Sequence, residues 1–181
     1  AGASPTPVPG TTGIPPKFSQ IVKDCTLNRK TWKKQKMLGK GEYGSAYVTC
    51  FDGNCEYVLK KQDNDEEFFT EVEALIALKR TGVVPKLYAA WTCGNSAYFV
   101  IEKLTKCTEM SDDEIYESLK NSLESIWMHG WVHNDIHDRN VMCRPAVKGS
   151  RRKLIIIDFG LAINLKKEYY FDESKEQDWE T

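Results

Sequence analysis

A chain of 181 residues, 41% hydrophobic and 28% charged, is long enough to bury a real core. No apolar stretch approaches the ~20 residues of a membrane span, so none is expected. The net charge is −1, and its charged runs read as solvated faces: Arg29, Lys30, Lys33, Lys34 and Lys36 on one side, Asp63, Asp65, Glu66 and Glu67 on the other. No nucleic-acid binding is inferred from them.

Residues 1–16 are rich in Pro, Gly, Ser and Thr with almost nothing to bury, which predicts a flexible tail or leader remnant. Residues 37–61 read as three strands, with Asp52-Gly53 as the tight turn between the second and third. The first of these turns contains Gly39-Lys40-Gly41-Glu42-Tyr43-Gly44, a G-x-G-x-x-G string whose glycines let backbone amides approach phosphate oxygens where a Cβ would clash. Alone, such a string is more often an ordinary hairpin turn. The third strand, Tyr57-Val58-Leu59-Lys60, ends in a lysine. Residues 66–80 form an amphipathic helix stopped by Thr81-Gly82. It offers Glu71 and Glu73, which face different directions at that spacing; the Glu71 register puts Ala74, Leu75 and Leu78 toward the sheet. Two more strands follow at 86–92 and 97–102, separated by Gly94-Asn95.

After a crossing segment at 103–110, Ser111-Asp112-Asp113-Glu114 is a capping box, and the helix it opens runs to about Met128 with an apolar stripe of Ile115, Leu119, Leu123 and Ile126. Two short strings then belong together. His133-Asn134-Asp135-Ile136-His137-Asp138-Arg139-Asn140 places an Asn five residues after an acid, and Asp158-Phe159-Gly160 ends the apolar run Leu154-Ile155-Ile156-Ile157. Between them Val141-Met142-Cys143 and the 154–157 run make a strand pair joined by residues 145–152. Each part has a bland reading of its own, but together they come in one fixed order.

Over residues 37–160 the chain resembles the protein-kinase-like superfamily. The resemblance implies an α+β, two-lobed fold: an amino-terminal lobe (17–102) with a five-stranded sheet and one helix, then a hinge and a reduced, mainly helical carboxy-terminal lobe (103–181). It further implies an ATP- and Mg²⁺-dependent phosphotransferase acting on a hydroxyl acceptor, a protein Ser, Thr or Tyr or a small molecule. Carried over by position, Lys60 and Glu71 form an ion pair on the phosphates. Asp135 receives or orients the acceptor hydroxyl, and Asn140 and Asp158 bind Mg²⁺. Gly39, Gly41 and Gly44 cover the phosphates. Tyr43, at the loop tip, reads equally as a shield of the γ-phosphate from water or as an exposed aromatic. Glu102 and Leu104 contact adenine through their backbone, Ile101 backs it and Met142 floors it.

Departures from the family pattern matter as much. No Ala-Pro-Glu string follows Gly160 and 21 residues remain: either the sequence stops short of a full kinase domain or, as its compact spacing favours, it is a minimal kinase without the usual peptide platform, its reduced lobe closed by a short helix near 172–179. Asn134 stands where regulated kinases carry Arg, so phosphorylation-dependent switching is not expected. His137 is similar to the Asp-Leu-His-x-x-Asn of aminoglycoside and choline phosphotransferases, whereas Arg139-Asn140 is similar to tyrosine kinases. The acceptor stays open on this ground. So does the alternative class, a catalytically silent pseudokinase that binds nucleotide and acts through protein partners.

Six cysteines, an even number, and an Ala-Gly-Ala start favour the secretory pathway; the alternative is a cytoplasmic chain with reduced thiols. If Asp52-Gly53 is a two-residue turn, Cys50 lies opposite Cys55 and the pair is predicted to bond. No Cys/His spacing matches a zinc site.

Overall fold

Asp52 (φ 49°) and Gly53 (φ 78°) both adopt left-handed backbone, the requirement of the tight turn whose twist matches its flanking strands. The hairpin it closes lies in a computed structural model that describes residues 25–41, 44–145, 147–149 and 152–167. The expected tail at 1–16, Tyr43 and the helix expected near 172–179 lie outside the described residues. Strands β1 (Met37–Gly41), β2 (Gly44–Phe51), β3 (Asn54–Asp63), β4 (Leu87–Cys93) and β5 (Ser96–Glu102) form one antiparallel sheet in the order β1-β2-β3-β5-β4.

The hairpin is not ideal, and its irregularity has a functional consequence. Phe51 faces Asn54 across the turn, and an uninterrupted ladder from there would pair Ser45 with Lys60. Instead the register slips by one residue between Thr49 and Phe51, and Ala46 pairs with Lys60. Cross-strand partners share a face, and a slip of one residue exchanges the faces of a whole strand. The bulge therefore puts Ala46 on the Lys60 side of the sheet, where the β3-β5 register also puts Phe99. The expected Cys50–Cys55 bridge is present at this bulge, with Cα atoms 4.0 Å apart.

On that inner side packs α2 (Glu66–Ala77). Asp65 caps it, accepting from the Phe68 amide at 3.1 Å, and Phe68, Val72 and Leu75 bury against Phe99 and Ile101. The helix ends three residues earlier than its apolar periodicity predicts. The Leu78 amide closes onto Ala74, and the chain tightens into a 3-10 turn at Lys79–Thr81 that Gly82 (φ 66°) terminates.

The outer side carries Tyr57, Leu59, Trp91 and Val100, too much apolar surface to leave in water. Trp32, 5% exposed, covers it, held there by a helix that sequence patterning did not predict, α1 (Cys25–Thr31). Among the described residues the amino-terminal lobe thus has this short helix besides the expected one. At seven residues α1 is too short to stand by propensity; a Cys25–Cys93 bridge ties it to β4.

Residues 103–111 lead to α3 (Asp112–Met128), opened by the expected capping box: the Glu114 amide donates to Ser111 Oγ, and the Ser111 amide to Glu114 Oε2. Beyond it come β6 (Trp131–Val132), β7 (Val141–Cys143), β8 (Leu154–Ile156) and β9 (Ile163–Asn164), paired as β6-β9 and β7-β8. A third bridge, Cys107–Cys143, and two 2.8 Å backbone bonds between Thr105 and Cys143 staple the crossing segment to β7. No helix among the described residues is long and apolar enough to cross a membrane.

The bridges should differ in stability by the length of chain they close. Replacing Cys50 and Cys55 by Ala, a separation of 5 residues, should cost at most about 1–2 kcal/mol. Replacing Cys25 and Cys93, a separation of 68, should cost about 4 kcal/mol. Urea melts of the two double variants measure the difference, and an equal loss in both would contradict this ranking.

Candidate active site

Lys60 enters from β3 and Glu71 from α2. Their side chains meet at 3.3 Å, with the Lys60 ammonium 5.0 Å from the centre of the Phe99 ring. Glu71 is buried, and burial pushes its carboxyl above the usual range; Lys60 pulls it back, and the Phe159 amide also donates to it. Glu73, two residues on, turns away to Lys167 Nζ at 2.7 Å and Asn164 Nδ2 at 3.4 Å. The helix register thus brings Glu71 alone to Lys60.

The loop after β6 is organised by His133, 2% exposed. Its Nδ1 accepts from the Asp135 amide at 3.2 Å, so Nε2 carries the proton and donates to the Ile157 carbonyl at 2.8 Å. Burial lowers its pKa and keeps it neutral. The ring packs edge-on against Phe159, centroids 4.7 Å apart. One imidazole therefore joins the Asp135 string to the Asp158 string. Asn134 (φ 66°) and Asp158 (φ 64°) hold left-handed backbone without being glycine, a strain that persists where surrounding contacts over-determine it.

Asn140 is buried, and its amide nitrogen faces three acceptors: the Asp135 carbonyl at 2.9 Å, Asp135 Oδ2 at 3.2 Å and His137 Nε2 at 2.9 Å. That fixes which end of the amide is nitrogen and turns Oδ1 away from all three. Among the described residues no hydrogen bond or ion pair engages the Asp158 carboxylate. An amide oxygen and an uncommitted carboxylate are hard oxygen donors, the kind Mg²⁺ takes one or two of while keeping its waters. The residues present fit that ion.

Across the cleft, β1 and β2 carry Gly39, Gly41 and Gly44. A Cβ on Gly39 or Gly41 would meet nothing within 4 Å, whereas Gly44 (φ 143°) lies against the Lys61 carbonyl oxygen, which a Cβ would strike. Gly44 is needed by the fold; the other two are not. The register also puts Ala46, Val58 and Ile101 on the Lys60 face, so Ala46 and Val58 join Ile101 as lining residues that motif reading passed over.

The hinge candidates Glu102 and Leu104 flank the crossing, and Met142 lies on β7. The Glu102 side chain has a role that no motif signalled. Arg144 grips it with Nη2 at 2.8 Å and Nε at 3.1 Å, and donates from Nη1 to the Gly82 carbonyl at 3.0 Å. Arg144 thus ties β7, the crossing and the loop after α2 together. A groove of about 860 Å³ lies elsewhere, between Thr81, Met110, Asp113, Ser118 and Lys153, and none of these candidates lines it.

The family model that describes the protein kinase domain matches residues 32–179. The tyrosine-protein kinase SRK3 of the sponge Spongilla lacustris is 23% identical over 162 residues, covering 80% of this chain. The alignment spans 47% of the sponge protein, about half its length. A two-lobed α+β architecture with its charged residues gathered in the cleft is that of a kinase. The chain belongs to the protein kinase domain family.

The glycines separate fold from ligand. Gly39→Ala and Gly41→Ala should leave the melting temperature unchanged and weaken nucleotide binding, while Gly44→Ala should lower the melting temperature by several degrees. Thermal melts with and without MgATP read both effects. A fall in melting temperature for Gly41→Ala as large as for Gly44→Ala would contradict this division.

Proposed function

We propose that this chain is an ATP- and Mg²⁺-dependent phosphotransferase that moves the γ-phosphate to a hydroxyl acceptor, on a protein or a small molecule. The observation that carries the reading is the buried Glu71 paired with the partly exposed Lys60 beside an uncommitted Asp158. A buried carboxylate held to a partly exposed cation, next to a second carboxylate with no partner among the described residues, costs stability and is accounted for by a polyanionic ligand with its metal.

Phosphoryl transfer asks the protein mainly for position and charge, because phosphate oxygens repel an incoming nucleophile. In this reading Glu71 aims Lys60 at the α and β phosphates, and the amides of the glycine loop close over the remaining oxygens. Asp135, held by its own amide to His133, orients the acceptor hydroxyl and takes up its proton. Asn140, with its nitrogen pinned, leaves Oδ1 outside those contacts, and Asn140 and Asp158 would hold Mg²⁺, which neutralises phosphate charge when bound. Glu102 and Leu104 border the adenine through their backbones, with Ile101 behind and Met142 below.

That the sponge relative is a tyrosine-protein kinase supports a protein hydroxyl among the acceptors. The three cysteine pairs support residence in an oxidising compartment such as the secretory pathway.

Labelled ATP offered with protein and small-molecule acceptor pools tests the reading. Label should pass to an acceptor hydroxyl. Asp135→Asn should keep MgATP binding and lose about 10²- to 10⁴-fold in turnover, and Asp158→Ala should abolish the Mg²⁺-dependent part of binding. A MgATP-induced melting shift without turnover in any pool would instead establish the silent, partner-binding module. No shift with ATP in either condition would remove the nucleotide site altogether.

A further inference from the structure

The basic run that composition leaves as a solvated face becomes specific once it is placed on the sheet. Residues 33–40 run antiparallel beside β2 at the free edge: Gln35 and Val48 exchange backbone bonds with their partners, and Thr49 Oγ1 donates to the Lys33 carbonyl. Lys33, Lys34, Lys36 and Lys40 project from this exposed edge. At ~3.3 Å per residue the line of charge is about 23 Å long. Arg29 and Lys30 extend it along α1.

A second row crosses the sheet. Lys40 pairs with Ser45, Ser45 with Lys61, and Lys61 with Tyr98, so both lysines flank Ser45 on the outer face, away from Lys60. Lys34 Nζ lies 4.8 Å from the Tyr47 ring centre and 5.6 Å from that of Tyr98, which brings a third ammonium over the same patch. The Tyr47 phenol registers the convergence: its hydrogen bond with Ser45 lowers its pKa most, burial opposes this, and Lys34, Lys61 and Lys40 each lower it further.

None of these basic groups forms an ion pair among the described residues. From Thr26 to Ser45 the sequence carries a single acid, Glu42. A chain of net charge −1 has therefore gathered on one edge cations that no described acid neutralises.

We propose that this outer face and edge dock a sulfated linear polysaccharide. The line of charge is longer than any single phosphate or sulfate group and suits a polymer with repeated anions. Sulfated polysaccharides occur in the oxidising compartments where cysteine bridges persist. A single-stranded nucleic acid would want exposed aromatic rings to stack on. Here Trp32, Tyr57 and Trp91 are buried, and Lys34 caps Tyr47 and Tyr98. An anionic membrane would want a broad apolar face to insert, and the large apolar side chains exposed on α1 and β1 are Leu27, Met37 and Leu38, three among the six basic residues Arg29, Lys30, Lys33, Lys34, Lys36 and Lys40 of the same stretch.

The oxidised full-length chain should bind heparin at about 0.15 M salt and lose about tenfold or more with fully desulfated heparin. Lys34→Gln, Lys36→Gln and Lys61→Gln together should lower heparin affinity about tenfold or more and reduce the slope of log affinity against log salt by about three. Lys33→Gln with Lys36→Gln, both exposed, should give a smaller loss in the same direction without touching the rings beneath. Lys106→Gln with Lys120→Gln, on the other lobe, should bind like the parent. No heparin binding, or equal affinity in parent and triple variant, would overturn the proposal. Phosphatidylserine vesicles or duplex DNA bound as tightly as heparin would overturn it too, by reducing the face to a general cation surface. Each result is independent of phosphotransfer, whose readouts involve the opposite face of the sheet.

Discussion

The pair formed by Lys60 and Glu71 sets the demands that the rest of the molecule meets. Glu71 is 3% exposed, inside the core that α2 makes with the sheet. Burial raises its pKa, and a carboxyl whose folded value lies above its unfolded one favours the fold at low pH and opposes it as pH rises through the raised value. At neutral pH the pair is a cost that Lys60 and the Phe159 amide only partly offset. Such a group persists when structure on all sides holds it in place and when charge is wanted at that spot.

That holding structure can be followed strand by strand. The one-residue bulge in the β2-β3 hairpin decides that Lys60 shares a face with Ala46, the β3-β5 register adds Phe99 to that face, and the Cys50–Cys55 bridge closes the turn beside the bulge. The Asp65 cap and the 3-10 turn at Lys79–Thr81 fix where α2 starts and stops, and hence where Glu71 points. On the other side of the cleft His133 bonds the Asp135 amide and the Ile157 carbonyl at once. Between the lobes the Glu102–Arg144 pair and the Cys107–Cys143 bridge bind the crossing to β7. Small shifts are costly in so well-tied a frame, which is what phosphoryl transfer requires of its scaffold.

Much of this was legible in the sequence, for definite reasons. Strand alternation, the Asp52-Gly53 turn and the Ser111–Glu114 box are local signals, and the elements they predict are present. The choice of Glu71 over Glu73 followed from helical spacing alone, and the structure pairs Glu71 with Lys60. What escaped depends on contacts between distant residues. The bulge arises from the match of β2 to β3 and leaves no residue signature of its own. Arg144 is a lone arginine after a short strand, and only folding brings it to Glu102, 42 positions away. Helix α1 is seven residues long with no buried residue, so periodicity had nothing to detect. A signal for its presence did exist: Tyr57 and Leu59, two apart on a strand, with Trp91 and Val100 beside them, called for a cover.

The central claim is that the Lys60–Glu71 pair is kept for a charged ligand at the expense of stability. A double-mutant cycle with Lys60→Met and Glu71→Gln, measured both as unfolding free energy at pH 7 and as MgATP affinity, tests it directly. The double variant should be as stable as the parent or more so, although each single variant loses stability, and the coupling in MgATP affinity should be at least about 1.4 kcal/mol, a factor of ten. A double variant well below the parent in stability, with no coupling in affinity, would contradict it and make the pair a structural ion pair.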